Sequence, residues 1–161
     1  ITLVFGGVEN DYGEDSEYAH GERYDPIMDK WSPIPPMIQA RRACSAISFK
    51  GRIFVVGGHY CDGEYKEVAT VEAFDPITEE WTKLPDMKVK RQNATLVVTS
   101  GKLYAMGGFS DYLYHNRSST VEEYDPVTDT WKMQKQMKIQ GNEPFLFAIP
   151  VSASIPTTVS L

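Results

Sequence analysis

Apolar and polar positions along this chain fall into short runs, not long stripes. "ACSAISF" (43–49) and "RIFVVGG" (52–58) flank Lys50-Gly51, and "NATLVVT" (93–99) and "KLYAMGG" (102–108) flank Ser100-Gly101. Each run is rich in β-branched and aromatic residues, too short for an amphipathic helix and bounded by turn residues, which predicts strands. An X-Gly pair between two such runs predicts a tight hairpin, because glycine accepts the positive φ that two-residue turns demand. A third run, "TVEAFDP" (70–76) or "TVEEYDP" (120–126), ends in Asp-Pro. There the Asp side chain can accept from amides ahead of it, and Pro presets φ at the second turn position. The segment around the following Trp reads as a fourth short strand.

These runs repeat. Tyr24-Asp25-Pro26, Phe74-Asp75-Pro76 and Tyr124-Asp125-Pro126 are 50 residues apart, and Trp31, Trp81 and Trp131 keep that interval, as do Met37, Met87 and Met137. Gly57-Gly58 and Gly107-Gly108 hold it too, whereas Gly6-Gly7 lies one residue further away, so the loop after it is one residue longer. Four short strands per repeat, with almost no helical period, predict the blades of a β-propeller. The glycine pairs, lacking Cβ atoms, are expected to let a neighbouring sheet come close. Each Trp is expected to anchor one blade to the next, and each Met to fill a gap.

A glycine pair ending a strand, a Tyr-Asp-Pro-type turn about seventeen residues on, and a Trp six residues after the Asp together resemble the Kelch motif. Met followed four residues later by Arg (Arg41, Arg91) completes the likeness, which covers residues 1 to 138. The resemblance implies an all-β fold: a partial Kelch β-propeller of about three four-stranded antiparallel blades, not a closed ring by itself. The expected divisions are an incomplete first blade (1–35), a second (36–85) and a third (86–135), then a non-Kelch tail (139–161). The first unit starts at its second strand, "ITLVFGG", and Gly141 and Thr157-Thr158 stand where the repeat would place Arg and the glycine pair. "FLFAI" (145–149) is expected to act as an inner strand, and the chain to behave as a fragment or truncated form whose open ends self-associate. The likeness is greatest to intracellular BTB–Kelch adaptors, which implies a propeller that holds a protein substrate for a cullin-RING ubiquitin ligase. The alternative is a cytoskeletal, actin-binding scaffold of the Kelch type.

Composition narrows the field without naming a partner. The chain has 161 residues, 42% hydrophobic, with a net charge of −6, an ordinary globular balance. Its pI near 5.1 argues against phosphate recognition, so no nucleic-acid partner is expected. The acidic stretch "VENDYGEDSE" (8–17) is expected to be a solvated loop, since its carboxylates lack the alternation of a calcium loop. Cys44 and Cys61 make no disulfide framework and no signal peptide opens the chain, so the expected location is cytoplasmic, or cytoskeleton-associated under the alternative. The sequons at Asn93 and Asn116 are read as unmodified. Pro150 and Pro156 break the uncharged run 144–161, and no membrane span is expected.

Candidate chemistry is sparse. His59, Cys61 and Asp62 have the spacing of a loop and no second ligand pair, so no metal and no cofactor are expected. No phosphate-binding glycine loop or Gly-x-Ser-x-Gly elbow occurs, and a Kelch-type copper oxidase would need a Tyr/His constellation that is not here. The expectation is a binding protein, not an enzyme. The segments after the glycine pairs, "HYCDGEYKE" (59–67) and "FSDYLYHNRS" (109–118), differ freely between repeats and carry the side chains that suit recognition. Tyr60, Tyr65, Phe109, Tyr112, Tyr114 and Arg117 are therefore the candidate partner-binding residues. The resemblance adds Arg41, Arg42 and Arg91, in the segments leading to the inner strands, although a repeat-defined position gives Arg41 and Arg91 an equal claim to a structural role. A partner with acidic or Ser/Thr-rich segments would suit arginine.

Overall fold

The computed structural model describes residues 2–6, 8–11, 14–17, 19–62, 64–111, 113 and 115–138. The expectations for "FLFAI" and for the tail beyond 138 lie outside this range. Within it the chain is all-β. The first blade is a sheet of β1 (Thr2–Phe5), β4 (Gly21–Asp25) and β5 (Lys30–Ile34), with a separate hairpin of β2 (Val8–Asp11) and β3 (Glu14–Glu17). The second blade is β6 (Ser45–Phe49), β7 (Arg52–Val56), β10 (Val71–Asp75) and β11 (Glu80–Leu84), again with a hairpin, β8 (His59–Cys61) and β9 (Tyr65–Glu67). The third is β12 (Thr95–Thr99), β13 (Lys102–Met106), β14 (Val121–Asp125) and β15 (Thr130–Met133). All strand pairs are antiparallel, and each blade follows chain order, with β1–β4 and β7–β10 pairing across the intervening hairpin. Up-and-down order puts the two tight turns of each blade at one end. The hairpins and the linkers between blades share the other, here called the loop end.

Two segments expected as loops are strands instead. The acidic stretch 8–17 folds as β2–β3, in register Val8↔Glu17 to Asp11↔Glu14, and 59–67 contains β8–β9. Backbone pairing satisfies amides that a wandering loop would have to hand to water.

Local chemistry explains the turns. Lys50 and Gly51 (φ 50° and 78°) and Ser100 and Gly101 (φ 50° and 72°) both sit at positive φ, the type I′ geometry that matches strand twist. At the other turn, Oδ1 of Asp25, Asp75 and Asp125 accepts the amide two residues on, at 2.8, 2.8 and 2.9 Å. Tyr24 and Tyr124 donate their hydroxyls to Asp29 and Asp129 across this turn. Phe74 has no hydroxyl, and Glu79 at the corresponding position reaches back to Arg23 of the first blade at 2.8 Å.

The core lies between blades. Phe49, Phe54, Val56, Val71, Ala73, Leu84 and Met87 meet Leu103, Ala105, Tyr124 and Trp131 of the third blade. Phe54 and Tyr124 rings lie 5.5 Å apart. Two of the three tryptophans link blades as expected: Trp81 Nε1 donates to the Pro35 carbonyl at 2.8 Å, and Trp131 is buried in the core shared by the second and third blades. Trp31 departs from that expectation: it is 45% exposed and its ring lies against Tyr24 of its own blade at 5.2 Å. Met37 and Met87 are buried as gap fillers, each near a glycine of the preceding blade. The close approach expected of the glycine pairs is real. A Cβ on Gly57 would stand 2.1 Å from the Arg91 carbonyl oxygen, and one on Gly58 2.6 Å from that of Arg42.

Each complete blade also contains a buried ion pair. Arg41 binds Glu72 and donates from Nη1 to the Gly57 and Thr70 carbonyls at 2.9 and 3.1 Å. Glu72 in turn accepts the Ile38 and Gln39 amides of the linker at 2.7 and 3.1 Å. Arg91, Glu122, Gly107 and Thr120 repeat the arrangement, with Glu122 holding the Lys88 and Val89 amides. This corrects the assignment of Arg41 and Arg91 to partner binding. Both are 0% exposed, and their hydrogen-bonding capacity is turned inward to carbonyls and a carboxylate.

Removing one member of such a pair strands the other charge in the interior. Arg41→Met is expected to lower unfolding stability by about 3–5 kcal/mol in urea titration, and Arg41→Met combined with Glu72→Leu to recover much of it. At the turn end, the hydrogen bond from Lys102 lowers Asp125 to about 2, helped by the Val127 amide. A depressed folded pKa stabilises above the unfolded value near 4, and that stability is lost as pH falls toward 2. Carboxyl NMR titration should therefore find Asp125 near 2 in the native chain and higher in Lys102→Met.

Candidate functional site: the loop end

Two candidate residues and one unselected histidine meet where the linker enters the second blade. Arg42 and His59 exchange backbone hydrogen bonds at 3.0 Å in both directions, which ties the linker to the start of β8. Arg42 Nε also donates to His59 Nε2 at 2.7 Å, so this nitrogen of the buried His59 is the unprotonated one. Tyr65, on β9, turns its ring edge-on to His59 at 5.9 Å and lies under the Arg42 guanidinium at 5.2 Å. Arg42, His59 and Tyr65 thus form one packed cluster. Across the hairpin, Lys66 stands 6.0 Å over the half-buried Tyr60 ring and pairs with Asp62 at 2.7 Å. That contact holds the Asp62 carboxyl below its ordinary range and the Lys66 ammonium above its own.

The third blade uses the same scaffold with different side chains. Gln92 replaces Arg42 and Phe109 replaces His59, keeping the paired backbone hydrogen bonds at 2.9 and 3.0 Å. Phe109 is 2% exposed, which corrects its assignment as a contact residue: its ring packs inward beneath the loop. Asp111 shapes that loop by accepting the His115 and Asn116 amides at 2.8 and 2.9 Å. Arg117 bridges back to Phe109 through its backbone and is exposed. Tyr112 and Tyr114 lie outside the described residues. Of the nine candidates, Arg42, Tyr60, Tyr65 and Arg117 stand at the loop end with surface to offer, and Arg41, Arg91 and Phe109 do not.

The structure adds residues that the sequence reading passed over. Glu72 and Glu122 are the partners that take Arg41 and Arg91 inside. A signal for them existed: Glu22, Glu72 and Glu122 recur at 50-residue spacing, in phase with the Asp-Pro turn and the Trp. His59 was weighed only as a metal ligand, yet it works as a hydrogen-bond acceptor. Burial raises the Cys44 thiol above its ordinary pKa, which leaves it a protonated packing group.

Comparison with known proteins agrees with this architecture. The family model described as Kelch motif matches residues 40–88 and 90–138, more than half of the chain. Kelch repeat and BTB domain-containing protein 12 of Danio rerio is 42% identical over 40 residues, covering 25% of this chain and 6% of that protein. Kelch-like protein 23 of Homo sapiens is 42% identical over 45 residues, covering 27% of this chain and 8% of that protein. The chain therefore matches only a small part of the length of these relatives. The solved structure of YjhT superposes with a TM-score of 0.72 at 17% identity, over 84% of this chain and 49% of its own, a likeness of fold. With two motif matches in register with two complete four-stranded blades, the chain belongs to the Kelch-repeat family and forms part of a Kelch β-propeller.

Proposed function

We propose that this chain is a protein-interaction module whose recognition surface is the loop end, and that it serves as a portion of the substrate-recognition propeller of a BTB–Kelch adaptor for a cullin-RING ubiquitin ligase. The observation that carries the recognition reading is the contrast between the two complete blades. Their framework groups are the same to the residue: Arg–Glu pair, glycine pair, Asp turn, Trp. Their loop-end groups differ, Arg42, His59 and Tyr65 in one and Gln92 and Phe109 in the other, on one backbone scaffold. Variation confined to one end of a rigid framework is how repeat scaffolds present binding surfaces. The names of the matched relatives, which join Kelch repeats to a BTB domain, support the adaptor role. No catalytic constellation is assigned; binding is the whole of the proposed activity.

Affinity capture with the native chain and with Tyr60→Ala and Arg117→Ala in parallel tests this reading. Both variants should keep their thermal midpoints and lose most of the captured partner, while Ile77→Ser at the turn end should keep it. Partners retained by both loop-end variants and lost by Ile77→Ser would move the surface to the opposite end. Cosedimentation with F-actin that survives the loop-end changes would replace the adaptor role with filament tethering.

A further inference from the structure

The sequence points to an acidic partner through its arginines, but the two in the framework are taken inside and neutralised by Glu72 and Glu122. Exposed cations gather elsewhere, at the loop end of the third blade, where three segments converge on the first half of β14. The linker from the second blade is held there by the Lys88 and Val89 amides, which donate to the Glu122 carboxylate at 2.6 and 3.1 Å. The segment after β15 is tied back by Gln134 N to the Val121 carbonyl at 2.8 Å and by Met137 N to that of Ser119 at 2.9 Å. The loop 109–118 runs into β14 through Ser118, whose amide donates to the Gly108 carbonyl at 2.9 Å. These segments present Lys88, Lys90, Arg117, Lys135 and Lys138, all exposed. Their own carboxylates are Asp86 and Asp111, and Asp111 is occupied by the His115 and Asn116 amides.

We infer that the loop end of the third blade receives a carboxylate-rich segment of a protein partner. The inference deepens the recognition reading above and rests on it. The framework does not require this charge: where the third blade has Lys88, Lys90, Arg117 and Lys135, the second has Ile38, Ala40, Glu67 and Pro85. A basic patch on a chain of net charge −6 draws the opposite sign and rejects its own. A second, independent observation lies in the linker that carries Lys88 and Lys90. In the second blade, Arg41 Nε donates to the Gln39 carbonyl at 3.4 Å and Nη2 to Gln39 Oε1 at 3.3 Å. Val89 takes the place of Gln39 in the third blade, and Nε of Arg91, a residue 0% exposed, meets no acceptor among the described residues. A buried donor without an acceptor is a cost in the free chain that an incoming carboxylate oxygen, directly or through a water, would relieve. The cations stand on three separate segments, and four of them are lysines, flexible point charges. That arrangement suits carboxylates spaced along an extended segment better than one phosphate group.

The test is fluorescence anisotropy on the whole chain with a labelled peptide of alternating Glu and Ser. Its Arg-Ser counterpart, a Gly-Ser peptide bearing one phosphoserine, and a single-stranded oligonucleotide matched in charge to the Glu-Ser peptide run in parallel. The Glu-Ser peptide should bind, more weakly as salt is raised, and more tightly than the other three. Lys88→Glu with Lys135→Glu should weaken that binding by about tenfold or more at unchanged circular dichroism. Lys30→Glu with Lys50→Glu, the same change of charge at the turn end, should leave it within about twofold. Preference for the Arg-Ser peptide, the phosphopeptide or the oligonucleotide, binding of none, or equal loss from the two double variants would each overturn the inference. Loss of captured partner in Tyr60→Ala and Arg117→Ala without any binding of the Glu-Ser peptide would overturn only the acidic class and leave the recognition surface standing.

Discussion

A guanidinium buried at 0% exposure is among the least tolerant objects a small β-protein can contain, and this fold places one in each complete blade. Taking Arg41 or Arg91 out of water costs roughly several kcal/mol, so the charge must meet its opposite. The Nη groups of both meet carbonyls and a carboxylate, although Nε of Arg91 finds no such partner among the described residues. Geometry follows from that demand. The Glu must point into the blade from its third strand, the glycine carbonyl at the end of the second strand must turn toward the arginine, and the linker must bring its amides to the carboxylate. One interaction therefore sets the position of the linker, the second strand and the third strand together. Such a pair specifies a unique arrangement more than it adds net stability.

The glycine pairs belong to the same constraint. The carbonyl of Gly57 serves Arg41, while its missing Cβ leaves room for the Arg91 carbonyl of the next linker, whose oxygen accepts the Gly58 amide at 2.9 Å. An arginine segment is thus held from two sides, by its own blade through the side chain and by the preceding blade through the backbone. Between these polar fastenings the aromatic and aliphatic faces close over one another. Adjacent blades are joined by burial in the middle and by hydrogen bonds at the loop end. That rigid base is what allows the hairpins beyond it to differ in sequence without loss of position.

The consequence for function is a division of labour among residues of the same type. Arg41 and Arg42 are neighbours in sequence, yet one is a buried strut and the other lies over Tyr65 at the surface of the loop end. Tyr124 is buried, its hydroxyl bound to Asp129 and its pKa raised by burial, whereas Tyr60 is half-buried under Lys66 and Tyr65 is exposed beside Arg42. Residue type alone would have assigned these side chains alike.

Strand positions, tight turns and repeat period were legible in the chain because they depend on local chemistry: positive φ at Lys50-Gly51, the Asp75 side chain on its own amides, alternation over a few residues. The role of Trp81 and Trp131 between blades was legible too, since their phase with the repeat reports a constraint that recurs, though Trp31 shares the phase and stays exposed. The inward course of Arg41, Arg91 and Phe109 was not, because their partners stand 16 to 31 residues away and come near only when the sheet forms. Nor could the sequence show that the acidic stretch 8–17 pairs with itself and lies beside β8, since its polar pattern suits a loop as well as a strand. By itself the sequence determined a three-unit β architecture of the Kelch family, through periodic local signals. Only the tertiary structure decided which charges are buried against the protein and which stay exposed, because burial is a property of neighbours brought together by folding.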